Sequence, residues 1–149
     1  MKKTMATIFV AMVTFSGATL FAAGSWLERA ADAPLQIVGV VQSRTSHWEN
    51  GAIYSDSELS VSKIVRGNPD LTIVVRQHGG EVDGIGQKVS HTTLLAPGKS
   101  YLLFLMPAED GHWLPTSKGV NPIGALADGL EGVAGEPLER VIAELGGGA

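Results

Sequence analysis

The chain has 149 residues, with 11 basic and 15 acidic side chains (net charge −4), 19 glycines, 7 prolines and no cysteine. The acidic balance argues against a general nucleic-acid binder and against a protein held on an anionic membrane surface, since both need clustered Lys and Arg. The missing cysteines exclude disulfides, thiol catalysis and Cys-ligated metal sites, so burial and hydrogen bonding alone must hold the fold together.

Lys2 and Lys3 open the sequence, and no charged side chain follows until Glu28. An apolar run (Ile8, Phe9, Val10, Met12, Val13, Phe15, Leu20, Phe21) then leads into Ala22, Ala23, Gly24 and Ser25. A basic start, an apolar middle and a small-residue end form the pattern of a secretory signal peptide. Residues 1–24 are therefore predicted to be removed on export. The rival reading is a retained helical anchor, because about 20 apolar residues span a bilayer. Thr4, Thr7, Thr14, Ser16, Gly17 and Thr19 dilute the run and favour cleavage. The processed chain loses two lysines, leaving 9 basic against 15 acidic side chains, a net charge of −6. It is expected in the periplasm or outside the cell, without stable membrane insertion after cleavage. Residues 25–146 suit one domain with one core, followed by a short Gly-rich tail at 147–149.

Ser25-Trp26-Leu27-Glu28 reads as a capping box opening a short helix that runs to about Asp32, with Pro34 stopping it and Trp26 and Leu27 packing inward. Gln36 to Arg44 is a strand whose apolar residues (Ile37, Val38, Val40, Val41) do not alternate, so both faces should be covered. Gly39 inside it points to a bulge or a close backbone approach. Thr45 to Gly51 is predicted as a polar loop ending in an Asn-Gly turn. Ile53 to Val65 alternates, with Ile53, Leu59, Val61 and Val65 on one parity and Tyr54, Asp56, Glu58, Ser60 and Ser62 on the other: a half-buried antiparallel strand. Ile64 breaks the parity, which a bulge near Lys63 would explain.

Arg66-Gly67-Asn68-Pro69-Asp70 is a turn, and Leu71 to Arg76 is a third strand with Leu71, Ile73 and Val75 inward. From His78 to Pro97 the chain reads as a flexible glycine-rich loop. Pro97-Gly98 turns into Tyr101–Met106, a continuous apolar run expected to be a central strand covered on both faces. Asp110-Gly111 turns the chain into His112-Trp113-Leu114, a short fifth strand, and Val120 to Ile123 add a further one. Pro137 opens a C-terminal amphipathic helix with Leu138, Val141, Ile142 and Leu145 on one face, ended by Gly146. The expected class is mainly β: a small antiparallel barrel or sandwich of five or six strands with a short helix at each end.

The blocks IVGVV (37–41), IYSDSELSVSKIVRGN (53–68), LTIVVRQHGG (71–80) and APGKSYLLFL (96–105) resemble a group of exported bacterial proteins of unassigned activity. Such domains are similar to the OB-like β-barrel of tissue metalloproteinase inhibitors and netrin modules. The resemblance covers about Gln36 to Met106 and implies an OB-like barrel. By analogy it also implies a protease inhibitor. The inhibitors chelate zinc through an N-terminal cysteine, which this chain lacks, and no active-site residue of theirs transfers to it.

Few residues carry recognisable chemistry. Gly98-Lys99-Ser100 echoes a phosphate loop but lacks its first glycine and runs into a strand. Glu81 and Asp83 match no calcium-binding spacing. The four histidines (His47, His78, His91, His112) show no helical pairing for zinc. His47-Trp48 and His112-Trp113 repeat a dipeptide whose rings could stack on a ligand if folding brought the two together. His47, Trp48, His78, His112 and Trp113 are accordingly the candidate ligand surface, with no catalytic, cofactor or metal residue assigned. The function expected is an exported, non-enzymatic binding or scaffold protein for a protein or small extracellular ligand. The alternatives are a secreted hydrolase or metal-dependent enzyme using the His78–His91 loop, and the protease inhibitor already named.

Overall fold

The computed structural model describes residues 26–87 and 93–146. The predicted signal peptide, Ser25 of the capping box, His91 and the tail at 147–149 lie outside the described residues.

A helical turn, α1 (residues 26–30), precedes the first strand, β1 (Leu35–Glu49). Asn50 and Gly51, both at positive φ (51° and 81°), reverse the chain into β2 (Ala52–Arg66). That conformation matches the twist of the flanking strands, and Asn-Gly is the dipeptide that reaches it most easily. Next come β3 (Thr72–His78), a small hairpin of β4 (Gly80–Val82) and β5 (Ile85–Gln87), and then β6 (Ser100–Pro107) and β7 (Trp113–Ala125). A last hairpin, β8 (Glu131–Val133) and β9 (Glu136–Pro137), leads into α2 (Leu138–Glu144).

The sheet order is β3-β2-β1-β6-β7-β8-β9, with antiparallel neighbours throughout. One parallel bridge, Val75 to Trp113, joins β3 back to β7. The strands β1, β2, β3, β7 and β6 thereby form a ring of five. The chain is mainly β, with a short helix near each end of the described segment, as its pattern predicts.

The unbroken apolar runs of β1 and β6 follow from burial on both faces. Ile37, Leu103 and Leu105 point into the ring and pack with Leu59, Val75 and Leu95. Their strand neighbours Val38, Leu102 and Phe104 point the other way and pack under the helices with Trp26, Val141 and Ile142. Two apolar clusters thus share the same two strands, one inside the ring and one outside it. Trp26 anchors the outer cluster: it lies edge-on to Phe104 at 6.4 Å, and its Nε1–H donates to Glu136 at 2.7 Å. Gln36, also buried, donates through Nε2 to the carbonyls of Ala30 and Ala33, so β1 itself holds the end of the helical turn.

Irregularities fall where parity breaks. The β1–β2 register slips between Gln36 and Ile37, Val38 and Gly39, and Val41 and Ser43, so bulges sit on both sides of Lys63. A Cβ on Gly39 would meet Leu59 Cδ2 at 3.1 Å, which confirms the close approach read from the sequence. In β7, Val120 pairs with Leu103 and Pro115 with Leu105, so residues 116–119 loop out opposite Phe104. The two short strands expected around Trp113 and Val120 are therefore one interrupted strand.

Other expectations are corrected. Thr45 to Glu49 is strand rather than loop, because it pairs residue by residue with Ala52 to Asp56. Leu27 is exposed beside buried Trp26, since adjacent helix positions point about 100° apart. Leu71 precedes β3 and is 79% exposed. The stretch after His78 holds a hairpin, turned by Asp83 and Gly84 at positive φ (51° and 79°).

Candidate functional site

Beyond Val41 the β1–β2 hairpin runs past β6, which pairs only with Leu35 to Val40. Its inner face there carries serines. Buried Ser55 Oγ donates to the Gly79 carbonyl at 2.8 Å and lies 2.7 Å from Ser46 Oγ. Gly80, at φ 128°, has these two hydroxyls in the space a side chain would need, which seats the β4–β5 hairpin against the strands. Buried Gln77 extends the polar packing, donating to the Thr93 carbonyl and accepting from Leu95 N–H.

The outer face of the same strands carries the candidate site. Register places its residues in rows across three strands. His47 faces Tyr54, which faces His78; one step along, Thr45 faces Asp56, which faces Arg76. Because strand neighbours alternate between faces, these six side chains share one side of the sheet. The first row is aromatic. Tyr54 lies between the two imidazoles, with ring centroids 4.5 Å from His78 and 6.4 Å from His47, the latter pair stacked at 29°.

The second row is held by Arg76. Its Nε donates to Asp56 Oδ1 at 2.8 Å, its Nη2 to Asp56 Oδ2 at 3.1 Å, and its Nη1 to Glu49 Oε2 at 2.8 Å. A planar fork matched to a carboxylate in this bidentate way is the strongest ion-pair geometry available to side chains. The pair is well covered, with Arg76 and Asp56 18% and 21% exposed. His47 joins both carboxylates, its Nε2 3.4 Å from Glu49 and its Nδ1 3.7 Å from Asp56. The Arg76 guanidinium also sits 5.4 Å from the Tyr54 ring, within cation–π range. Arg76 therefore ties the polar row to the aromatic one.

Electrostatics follow from this packing. Burial acts to raise the Asp56 carboxyl, but the Arg76 hydrogen bonds and charge outweigh it, helped by His47 and His112, and its pKa is lowered. Arg76 is raised, chiefly by its hydrogen bonds to Asp56, with Glu49 and Asp110 adding to the effect. Asp110 and His112 belong to the turn between β6 and β7, so that turn borders the site.

The structure brings together His47 and His78, on either side of Tyr54, and sets His112 close enough to act on Asp56. It does not bring in the tryptophans. Trp48 follows His47 and points to the other face, 44% exposed. Trp113 packs against the cluster inside the ring. Among the described residues no three His, Cys, Asp or Glu side chains are arranged to hold a metal ion. Glu49 and Arg76 were not foreseen as site residues. The available signal was the two-residue turn at Asn50-Gly51, since counting outward from it sets His47 against Tyr54 and Thr45 against Asp56.

A separate polar cleft of about 270 Å³ lies between α1 and the looped-out part of β7, lined by Glu28, Arg29, Asp32, Thr116, Ser117 and Lys118. Among the described residues no helix is long and apolar enough to cross a membrane. Comparison with known protein families and with curated proteins finds no match to the chain.

Proposed function

We propose that this chain is an exported, non-enzymatic binding protein whose ligand face is the outer surface of β1, β2 and β3. The observation that carries this reading is the pair of cross-strand rows, His47–Tyr54–His78 and Thr45–Asp56–Arg76, prearranged by Arg76 on paired strands. Groups held by neighbouring strands lose little freedom when a ligand arrives, and preorganisation of this kind supports affinity.

The Asp56–Arg76 pair suits a fixed charged contact better than proton transfer. A general acid or base works best with a pKa near the working pH. Here Asp56 is lowered and Arg76 raised, so both are driven away from neutrality and stay charged. The ring also supports the OB-like reading. Counting only its five strands, the order around it is first, second, third, fifth, fourth, with the third and fifth parallel. OB barrels bind ligands on the face of their second and third strands, flanked by the first–second and fourth–fifth turns. In this chain those positions are β2, β3, the Asn50-Gly51 turn and the turn bearing Asp110 and His112. Export rests on the N-terminal sequence pattern.

Two experiments test the reading. Mass spectrometry of the protein from the extracytoplasmic fractions of its host should find a chain beginning near Ser25; finding only full-length protein in the membrane fraction would replace cleavage by a retained anchor, and finding the protein only in the cytoplasm would remove the export claim. Affinity capture from the same fractions should recover a ligand on the wild-type protein and lose it on Tyr54→Ala and Arg76→Ala. Recovery that ignores both substitutions would move the site elsewhere.

A further inference from the structure

We infer that the distal half of β1 is a self-pairing edge: two copies of this chain join there, antiparallel and about a two-fold axis at Ser46, into one continuous sheet. The assignment is independent of what the outer face binds.

Val41 is the last residue of β1 held on its β6 side, where its N–H donates to the Lys99 carbonyl and its own carbonyl accepts from Gly98 N–H. Further along, Glu49 and Ala52 flank a two-residue turn, so their backbone groups face each other. Backbone groups alternate in direction along a strand. Ser43, Thr45 and His47 therefore face β2, while the N–H and C=O groups of Arg44, Ser46 and Trp48 turn outward. Ile53, opposite Trp48, obeys the same alternation: its carbonyl accepts from Gly79 N–H, on the side away from β1. Among the described residues the three outward residues have no backbone partner, since β6 reaches only Val40 and β4 pairs with β5 alone. The usual obstacles to edge pairing are also missing. The register to β2 runs without a slip from Ser43 to Glu49, and the stretch holds no proline or lysine. Gln42 to Thr45 are exposed one after another.

Arg44 is what selects a second copy over any other strand. A charge on the inner side of an edge normally deters a passing strand. Three outward residues centred on Ser46 suit a two-fold axis. Ser46 then faces the partner's Ser46, Arg44 faces the partner's Trp48, and the third pair repeats the second, so every outward donor and acceptor is used. Opposite residues send their side chains to the same side, which brings the Arg44 guanidinium over the partner's Trp48. Trp48 is 44% exposed in the single chain, so its ring is open to that contact. Arg44 already reaches along the inner side, where its Nη1 donates to the Leu95 carbonyl at 2.9 Å. Sliding the copies by two residues strands either Arg44 or Trp48 without a rung. On the outer side Thr45 faces the partner's His47, so the His47 rows of the two copies meet in one surface.

The test is sedimentation equilibrium of the exported chain from about 1 μM to about 1 mM, a range suited to a small edge interface. A monomer–dimer equilibrium should appear within it. Arg44→Pro removes one outward N–H and the guanidinium while sparing the donors that face β2, and should leave the protein monomeric. Trp48→Ala, at an exposed position, is the second variant should Arg44→Pro melt early; losing two equivalent cation–π contacts should weaken the dimer about tenfold. Because the chain has no cysteine, Ser46→Cys places a single thiol on the axis, and mild oxidation should link two copies through it. Ser43→Cys, on the same strand but away from the axis, should link far more slowly. A monomer throughout the range, a dimer indifferent to both Arg44→Pro and Trp48→Ala, or equal linking by the two cysteine variants would overturn the assignment. A chain that is monomeric alone and links through Ser46→Cys to a different protein in host extract would give the edge to another partner and overturn self-pairing.

Discussion

The two halves of β1 show how one strand can serve two purposes. From Leu35 to Val41 it is buried on both faces, between the cluster inside the ring and the cluster under the helices. From Gln42 to Glu49 it leaves β6 behind, is covered on one side by serines and the β4–β5 hairpin, and presents the His47 row on the other. Apolar packing holds the first half; hydrogen bonds and ion pairs hold the second. A polar, partly wet arm stays ordered here because it is the continuation of a strand already fixed by its buried half, and because an Asn-Gly turn closes its far end.

That contrast sets the order of expected effects. Phe104→Ala opens a cavity in the outer cluster where the ring meets α1 and should cost about 3–5 kcal/mol by denaturant unfolding. A loss under 1 kcal/mol would mean the helices add little to the ring. Gly80→Ala drives a Cβ against the Ser46 and Ser55 hydroxyls at a φ side chains avoid, and should cost about 1–3 kcal/mol. Hydrogen exchange should report its effect mainly in β4, β5 and the hairpin tip, leaving β6 protected.

Arg76→Met should cost about 1–2 kcal/mol, since it strips a bidentate partner from a largely covered carboxylate that solvent still screens in part. It also changes the pH dependence. The Asp56 pKa is lowered from 3.8, so its contribution to stability is fully present above that value and is lost as pH falls through the folded pKa. Asp56→Asn should flatten this part of the acid limb of the stability curve, and Arg76→Met should shift the limb upward; an unchanged limb in both would mean the pair adds nothing to stability. The smallest expected change is Tyr54→Phe, within about 0.5 kcal/mol in stability, because the ring and its stacking remain.

The buried half was legible in the sequence and the exposed half was not, for physical reasons. Runs such as Ile37-Val38 and Leu102-Leu103-Phe104, rich in strand-forming residues and bounded by turns, read as strands covered twice, and Gly39 and Ile64 marked where the regular pattern fails. Thr45 to Glu49 carried no such mark: with polar residues on both faces, periodicity vanishes, and only the partner strand reveals the extended chain. Of the site, His47, His78 and His112 were visible as residue types. Arg76 was not, because its carboxylate partners lie 20 and 27 positions away and only the register of three strands brings them together. Trp48 and Trp113 were attractive as aromatic neighbours of histidine, yet alternation sends adjacent residues to opposite faces.

The ring depends on one bridge between β3 and β7, Val75 to Trp113, where every other junction is a ladder. A seam of that kind lets go before the rest. Amides of β3 turned toward β7 should exchange with solvent at a free energy below that of global unfolding, and a domain that opens there would spread the Arg76 side of its site away from the turn carrying Asp110 and His112 without unfolding β1 or β6. The breathing of this junction, more than the motion of any loop, would then set how readily that border of the binding face admits and releases what it holds.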